Sequence, residues 1–534
     1  MSEIHAVETV FLLLLFFVIV FGIFARKLST PYPIVMVLGG LALSFIPGIP
    51  QVSLNPDLIF LIFLPPLLYS SAWTTSIREF KANIIQISFL AFGLVGFTVL
   101  GVSLLAQYFL PGFDWRLGMV LGAVVAPTDA IAATAIARRI GLPERIVDIL
   151  EGESLINDAS GLLALQFGTE ILVNEHIPTV GEGILTLFWL VAGGILVGVA
   201  IGWINVFIER RIEDSSIEIT LSILSPYVAY LAAEAIHASG VLAVVACGLF
   251  LTGRSTQFFS PATRMKLWSV WESLTFILNG VVFVLIGLQF PIIRSSIAEY
   301  GINKILLDGA IFSVLLILLR LVWVYPGAHI AHYIQDSLSN RIIPPVQPKQ
   351  VFVVGWTGMR GVVSLAAALS VPAVLQDGAP FPHRNTIILL TFCVILVTLV
   401  VQGLTLPSII SWLGLSGEEG PNCEELEARR LVTSAAVNHL EKAKENDTGR
   451  DSKLYDDLSE RYRHRLASLY DTSQEAAQQH NDFLELSLEA IRVERQTAIR
   501  LRNQGRINDT LLRKLEHELD LTESRLIQAT EEHS

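Results

Sequence analysis

The chain has 534 residues, 52% of them hydrophobic and only 16% charged, with a formal net charge of −12. So little charge at this length excludes an ordinary soluble enzyme, and the acidic balance argues against a nucleic-acid partner. Of the 37 basic and 49 acidic residues, 17 and 25 fall after residue 412, so a membrane domain (1–412) is expected to precede an acidic cytoplasmic tail (413–534).

A bilayer core takes about 20 apolar residues per helix. In chain order thirteen segments qualify: 9–26, 32–48, 55–73, 84–109, 115–137, 146–173, 182–208, 217–236, 239–252, 268–289, 303–333, 350–375 and 385–412. The first lacks a basic stretch ahead of it and reads as a retained helix, not a cleaved signal. With the N-terminus outside, the outer loops hold only Arg116, Arg294, Lys304 and Arg384, while fourteen basic residues fall in cytoplasmic loops, Arg26, Arg139 and Arg341 among them. That bias follows the positive-inside rule. Cys247, Cys393 and Cys423 show no metal or redox spacing and read as packing residues.

The fifth span contains "APTDAIAATA". Pro127 removes a helix hydrogen bond in mid-span. The carbonyl freed there and the Thr128 hydroxyl are oxygens open to a cation, and Asp129 can cap the half-helix that resumes, where negative charge is favoured. A kink with a capping aspartate is the blander alternative.

The sixth span contains "EGESLINDASGLL", residues 151–163. Carboxylates inside a membrane mark a transport path or a structural pair. On a helix Glu153 and Asn157 are i,i+4 neighbours, as are Ser154 and Asp158, and Gly152 and Gly161 admit a close partner helix. Glu153 reads as the counter-charge of an intramembrane arginine, Arg320 or Arg360. Asp158 reads as functional. Asn157 and Ser154 add neutral oxygens beside it, and a hard cation such as Na+ wants several oxygens with little negative charge. One carboxylate that takes either H+ or Na+ is the minimum apparatus of an exchanger. Glu151 and Glu234 are further candidates at depth; Glu170, Glu272 and Asp308 lie nearer span ends.

The twelfth span, "VFVVGWTGMRGVVSLAAALS", carries Gly355, Gly358 and Gly361 around Arg360. It reads as a second interruption, with Arg360 able to neutralise the carbonyls that end a half-helix. Spans 1–6 and 8–13 then form two six-helix repeats with the fifth member of each broken. That is the pattern of an all-α polytopic transporter built on inverted repeats, with its site at mid-membrane.

Five segments, "FLPPLLY", "APTDAIAATA", "GESLINDASGLL", "YLAAEAIHASGVLA" and "GWTGMRGVVSLAAALS", resemble the motifs of monovalent cation/proton antiporters of the NhaP and sodium/proton exchanger type. The resemblance covers residues 5–412, and the hydrophilic tail is similar to that of cyanobacterial members. It implies a secondary active transporter rather than an enzyme: a sodium/proton antiporter without a cofactor, multi-pass in a bacterial inner membrane, homodimeric, and serving pH homeostasis and salt tolerance. It further implies Asp158 as the ion- and proton-binding carboxylate with Asn157 beside it, and Thr128, Asp129 and Ser154 forming or supporting the site, so that Na+ is held by Asp158, Ser154 and Thr128. Glu153 would pair with Arg320, and Arg360 would sit at the crossing of the broken helices. Glu234 and His237 match further family positions. The Thr128–Asp129 pair is the prokaryotic form of a motif that reads Asp-Pro in animal exchangers. The Asn-Asp pair, in place of two aspartates, implies electroneutral exchange. One titrating carboxylate moves one Na+ or one H+, so a potential worth about 2.3 kcal/mol per charge per 100 mV does no work on the cycle. A bundle of spans 3–6 and 10–13 is expected to rock against a scaffold. An exchanger of the same fold that prefers K+ or Li+ is the alternative.

An intramembrane aspartyl protease lacks its Gly-x-Gly-Asp context here, and a channel lacks a filter-like loop. The tail is charge-rich and helix-prone, with a linker at Glu445–Ser452, and helical hairpins or a coiled coil are expected.

Overall fold

Apolar chain inside a bilayer must satisfy its own backbone groups, and helices do so locally. The computed structural model is accordingly helical; among the described residues the only β-type pairing is an isolated bridge between Val374 and Pro380. It describes residues 2–28, 30–47, 56, 59–174, 179–212, 214–255, 259–295, 302–338, 345–375, 379–415, 423–446, 452–470, 474–503 and the following stretch to 531. Arg341, the linker residues 447–451 and the start of the third span at 55, 57 and 58 lie outside the described residues, as do the side chains of Arg294, Lys304 and Cys423. Contacts divide the chain into two units, 1–418 and 419–534.

In the first unit the longer helices are α1 (Ser2–Lys27), α2 (Tyr32–Leu43), α3 (Leu64–Thr74), α4 (Val95–Phe109), α5 (Trp115–Val125), α6 (Ala130–Ile140) and α7 (Glu144–Asn174). They continue as α8 (Val180–Glu209), α9 (Ser215–Glu234), α10 (Gly240–Thr252), α11 (Pro261–Leu288), α12 (Ile302–Leu338), α13 (Pro348–Trp356), α14 (Val362–Ser370) and α15 (Arg384–Val397). A π-helical turn, Thr398–Gln402, carries α15 into α16 (Gly403–Leu413), and similar turns at Ile59–Phe63 and Phe89–Leu94 precede α3 and α4. Among the described residues seven helical stretches are long and apolar enough to cross a membrane, and the bent α5–α6 pair makes an eighth. Tyr32–Leu43, Ile59–Thr74 and Gly240–Thr252 are apolar but shorter.

Helix ends follow local chemistry. Asp114 accepts from the Leu117 amide at 2.9 Å to start α5, and Gly141 ends α6 with φ 71°, the left-handed conformation that glycine adopts freely. Close helix contacts follow the glycines. A Cβ on Gly40 would strike the Val284 carbonyl, and one on Gly287 the backbone of α2, so α2 and α11 touch backbone to backbone.

The expected rocking bundle of spans 3–6 and 10–13 does not match this packing. α3 packs mainly on α10, and α11 mainly on α2. Spans 3 and 10 therefore group with the helices expected to form the scaffold, because small residues such as Gly40 and Gly287 let α2 and α11 approach so closely.

The second unit holds α17 (Cys423–Asn446), α18 (Ser452–Tyr470), α19 (Gln474–Asn503) and α20 (Asp509–Glu531). α17 packs on α18 and α19 on α20. Arg463–Glu441 and Lys444–Asp456, both at 2.5 Å, bridge the first pair. Arg495 reaches Asp520 at 2.7 Å and also Glu523 across the second, whose turn holds Gly505 at φ 70°. These pairs are helical hairpins.

Candidate functional site

Two helix breaks meet inside the first unit. α5 stops at Val125 and α6 resumes at Ala130, with a bend of 41° between them. Pro127 supplies no amide to continue the ladder, and the Asp129 side chain accepts from the Ile131 amide at 2.8 Å to start α6. The second break lies between Trp356 and Val362. The two breaks satisfy one another: the Asp129 amide donates to the Met359 carbonyl at 2.7 Å, and the Ser364 hydroxyl to the Pro127 carbonyl at 3.3 Å. Gly361 sits so close to Asp129 that a Cβ there would overlap its carboxylate.

Arg360, 1% exposed, lies at this crossing. Its Nε donates to the Val125 carbonyl at 3.1 Å and its Nη1 to the Gly358 carbonyl, while its backbone amide donates to Thr398 Oγ1 at 3.1 Å. Val125 and Gly358 lie at the C-terminal ends of α5 and α13, where unpaired carbonyls concentrate negative charge.

The polar ridges of α7 face this crossing. Gly161 fits against the Pro127 ring and Gly152 against Ile87, so α7 lies close to both neighbours. Glu153 and Arg320, each 1% exposed, form a two-point ion pair at 2.5 and 2.8 Å, and Arg320 also donates to the Val354 carbonyl at 3.0 Å. Of the two arginines open on sequence grounds, Arg320 is the one bonded to Glu153. Thr128 Oγ1 donates to Glu153 at 3.1 Å and accepts from Asn157 Nδ2 at 2.6 Å. Ser154 Oγ donates to the Thr128 carbonyl at 2.9 Å and accepts from the Ala130 amide at 3.2 Å. A chain of contacts thus runs from Asn157 through Thr128 and Glu153 to Arg320.

Asp158 stands outside that chain. It is 7% exposed, and among the described residues no side chain hydrogen-bonds or ion-pairs with its carboxylate. It lines a cavity of about 110 Å³ with Pro127, Thr128, Asp129, Ser154 and Gly361. That space admits a cation with several waters, each needing roughly 10–15 Å³ on this measure. A larger cavity of about 1460 Å³ lies alongside, lined by Arg26, Tyr32, Ser70, Arg139 and Glu272; Thr74 lines both.

The structure therefore gathers Asp158, Asp129, Thr128 and Ser154 on one cavity wall, while Asn157 points its amide nitrogen to Thr128. Glu151 pairs with Arg138 at 2.6 Å, Glu234 and His237 are exposed, and Glu170 and Glu272 are exposed as well. Sequence reasoning missed Ser364, Thr398 and Asn279. Ser364 and Thr398 give no signal of their own. Asn279 does: it is a lone amide within "FILNGVVFVLIG".

Residues 12–412 match the family described as sodium/hydrogen exchanger, transmembrane. The chain is 32% identical over 519 residues to the uncharacterized Na+/H+ exchanger of Mycobacterium tuberculosis H37Rv, covering 96% of this chain and 94% of that one. It is 33% identical over 390 residues to the sodium, potassium, lithium and rubidium/H+ antiporter of Bacillus pumilus, covering 71% of this chain and 57% of the relative. Its fold resembles that of the sodium proton antiporter MjNhaP1 of Methanocaldococcus jannaschii, with a TM-score of 0.59, 22% identity, and coverage of 78% of this chain and 100% of that one.

Proposed function

The chain belongs to the sodium/hydrogen exchanger family, and from that premise we propose that it exchanges one Na+ for one H+ across a bacterial inner membrane by alternating access, with Asp158 as the carboxylate that carries either. The observation that carries this reading is the contrast between the two acids of α7. Glu153 is held by Arg320 and Thr128, so its charge is spent on structure. Asp158 faces a cavity with no side-chain partner among the described residues, so its charge is free for an ion. A carboxylate fixed in an ion pair could not release one cation and take up another.

In this reading Na+ sits between Asp158, Ser154 Oγ and backbone or hydroxyl oxygens at Thr128, with waters filling the remaining positions. Asp129 and Arg360 neutralise the ends of the broken helices and keep the crossing intact as it moves. The bundle of spans 4–6 and 11–13 rocks against spans 1–3 and 7–10, a division favoured by the packing of α3 on α10 and α11 on α2. The short helices, the polar α7 and the interrupted α13–α14 pair join the longer helices to make thirteen crossings in two inverted repeats. The N-terminus is outside and the tail inside, so the wide cavity beside Arg26 and Arg139 is the cytoplasmic entrance. The protein works as a homodimer in pH homeostasis and salt tolerance.

A second reading, exchange of K+ or Li+ as well as Na+, is favoured by the cations in the name of the Bacillus relative. The test is exchange in proteoliposomes with Na+, Li+ and K+ across pH, for the unaltered chain and Asp158→Asn. Loss of all exchange in Asp158→Asn supports the assignment; continued Na+/H+ exchange removes it.

A further inference from the structure

Asn279 is fully buried, with 0% exposure, in the middle of an apolar helix, and its Oδ1 has no hydrogen-bond partner. Buried amide oxygens are nearly always paired, so an unpaired one calls for an explanation. Asn279 is also the single residue of α11 on the wall of the small cavity that holds Asp158, Ser154 and Asp129. An unpaired oxygen on a residue that shares a cavity wall with a carboxylate can serve a cation, whereas a packing helix has no use for it.

The surroundings fix where the amide stands. One turn earlier on the same face of α11, Thr275 Oγ1 donates to Ser70 Oγ at 2.9 Å and ties the helix to α3. The Asn279 nitrogen donates to the Tyr32 hydroxyl at 3.5 Å, a contact that directs the amide nitrogen toward α2. Tyr32, Ser70 and Thr275 all line the wide cavity, whereas Asn279 lines the small one. Thr74 lines both cavities, so the small cavity that Asn279 shares with Asp158 adjoins the wide one.

We propose that Asn279 is a ligand of the transported cation, contributing a neutral oxygen from α11 opposite the charged oxygen of Asp158, and that Tyr32 and Thr275 are positioning residues that hold it there. This rests on the reading of Asp158 given above. A neutral oxygen adds coordination without adding charge, so the one-for-one balance is kept. Its fixed position on α11 makes it a determinant of which monovalent cation is accepted.

The experiment measures initial rates in proteoliposomes of the full chain against NaCl, LiCl and KCl, for Asn279→Ala, Asn279→Ser, Tyr32→Phe and Asp158→Asn. Size-exclusion profiles report folding. Losing one ligand oxygen raises the KM for Na+ about tenfold in Asn279→Ala and changes the Na+ to K+ preference, with the pH dependence retained. Asn279→Ser, which keeps an oxygen, falls between, and Tyr32→Phe shifts KM in the same direction by less. If Asn279→Ala keeps the original KM and cation preference while Asp158→Asn is inactive, the Asn279 assignment fails alone. If Asp158→Asn still exchanges, the underlying reading fails whatever Asn279 does. If neither Asn279 variant gives folded protein, the residue is a packing element and the proposal falls.

Discussion

Asn157 donates its amide hydrogen to Thr128 Oγ1 at 2.6 Å, and does not line the cavity beside its neighbour Asp158. The amide is thus the first link of the contact chain that ends at Arg320. Two adjacent residues of one helix point to different surroundings: Asn157 bonds the broken helix at Thr128, and Asp158 faces the cavity.

This division predicts the outcome of Asn157→Asp. The new carboxylate can no longer donate to Thr128, and the single Thr128 hydroxyl hydrogen cannot serve both that carboxylate and Glu153. The variant should lose about 1–3 kcal/mol of stability, the cost of a disrupted buried hydrogen bond. Because position 157 is off the cavity, exchange should stay insensitive to membrane potential. Exchange rates under imposed potentials, beside thermal unfolding in detergent, check both halves.

Glu153→Ala leaves Arg320 charged and buried with only the Val354 carbonyl. Removing one member of a buried pair costs about 3–5 kcal/mol, so folded yield should fall before any kinetic effect is seen. Double substitution of Glu153 and Arg320 by apolar residues of similar volume should restore part of that loss. Fluorescence-detected size exclusion over a temperature series reads both.

Gly361→Ala places a methyl group on the Asp129 carboxylate. The crossing must then open, breaking the bond from the Asp129 amide to Met359. Exchange should fall at least tenfold while the helices persist, since about 1.4 kcal/mol in the barrier is a tenfold change in rate. Transport rate measured beside helical content by circular dichroism separates the two.

How much of this is legible in the sequence varies by element. The two breaks are readable because Pro127 forbids a helix hydrogen bond and three glycines around Arg360 are costly in a regular span. From charge alone the Glu153–Arg320 pair is readable only as one of two options, because charge complementarity does not fix distance, and it is the motif resemblance that singles out Arg320. Asn279 escapes notice because an uncharged amide leaves no mark in a count of ionisable residues. The packing of spans 3 and 10 is not legible because helix-on-helix choice rests on small-residue contacts such as Gly40 with Val284, which periodicity does not encode. The π-helical turns likewise have no local signature.

In the tail, Arg502 beside Asp509, at 2.8 Å, holds that carboxyl below its ordinary range. A carboxylate with a depressed value stabilises the folded form above its unfolded pKa and loses that contribution as pH falls through the folded value. The α19–α20 turn should therefore loosen on acidification below the ordinary carboxylate range and be unaffected between pH 6 and 8, roughly the interval above all unperturbed carboxylates. Hydrogen exchange of residues 500–512, corrected for the intrinsic pH dependence of exchange, at about pH 7 and again below the ordinary carboxylate range checks it, with Arg502→Ala expected to abolish the difference.

The central claim is that Asp158 hosts a cation or a proton, never both. Its most direct test is the number of protons released per Na+ bound when the purified protein, in weak buffer at a pH where the site is protonated, is titrated with NaCl. The account predicts one proton released for each Na+ taken up, and none in Asp158→Asn. Sodium binding without proton release, or undiminished release from Asp158→Asn, would contradict it.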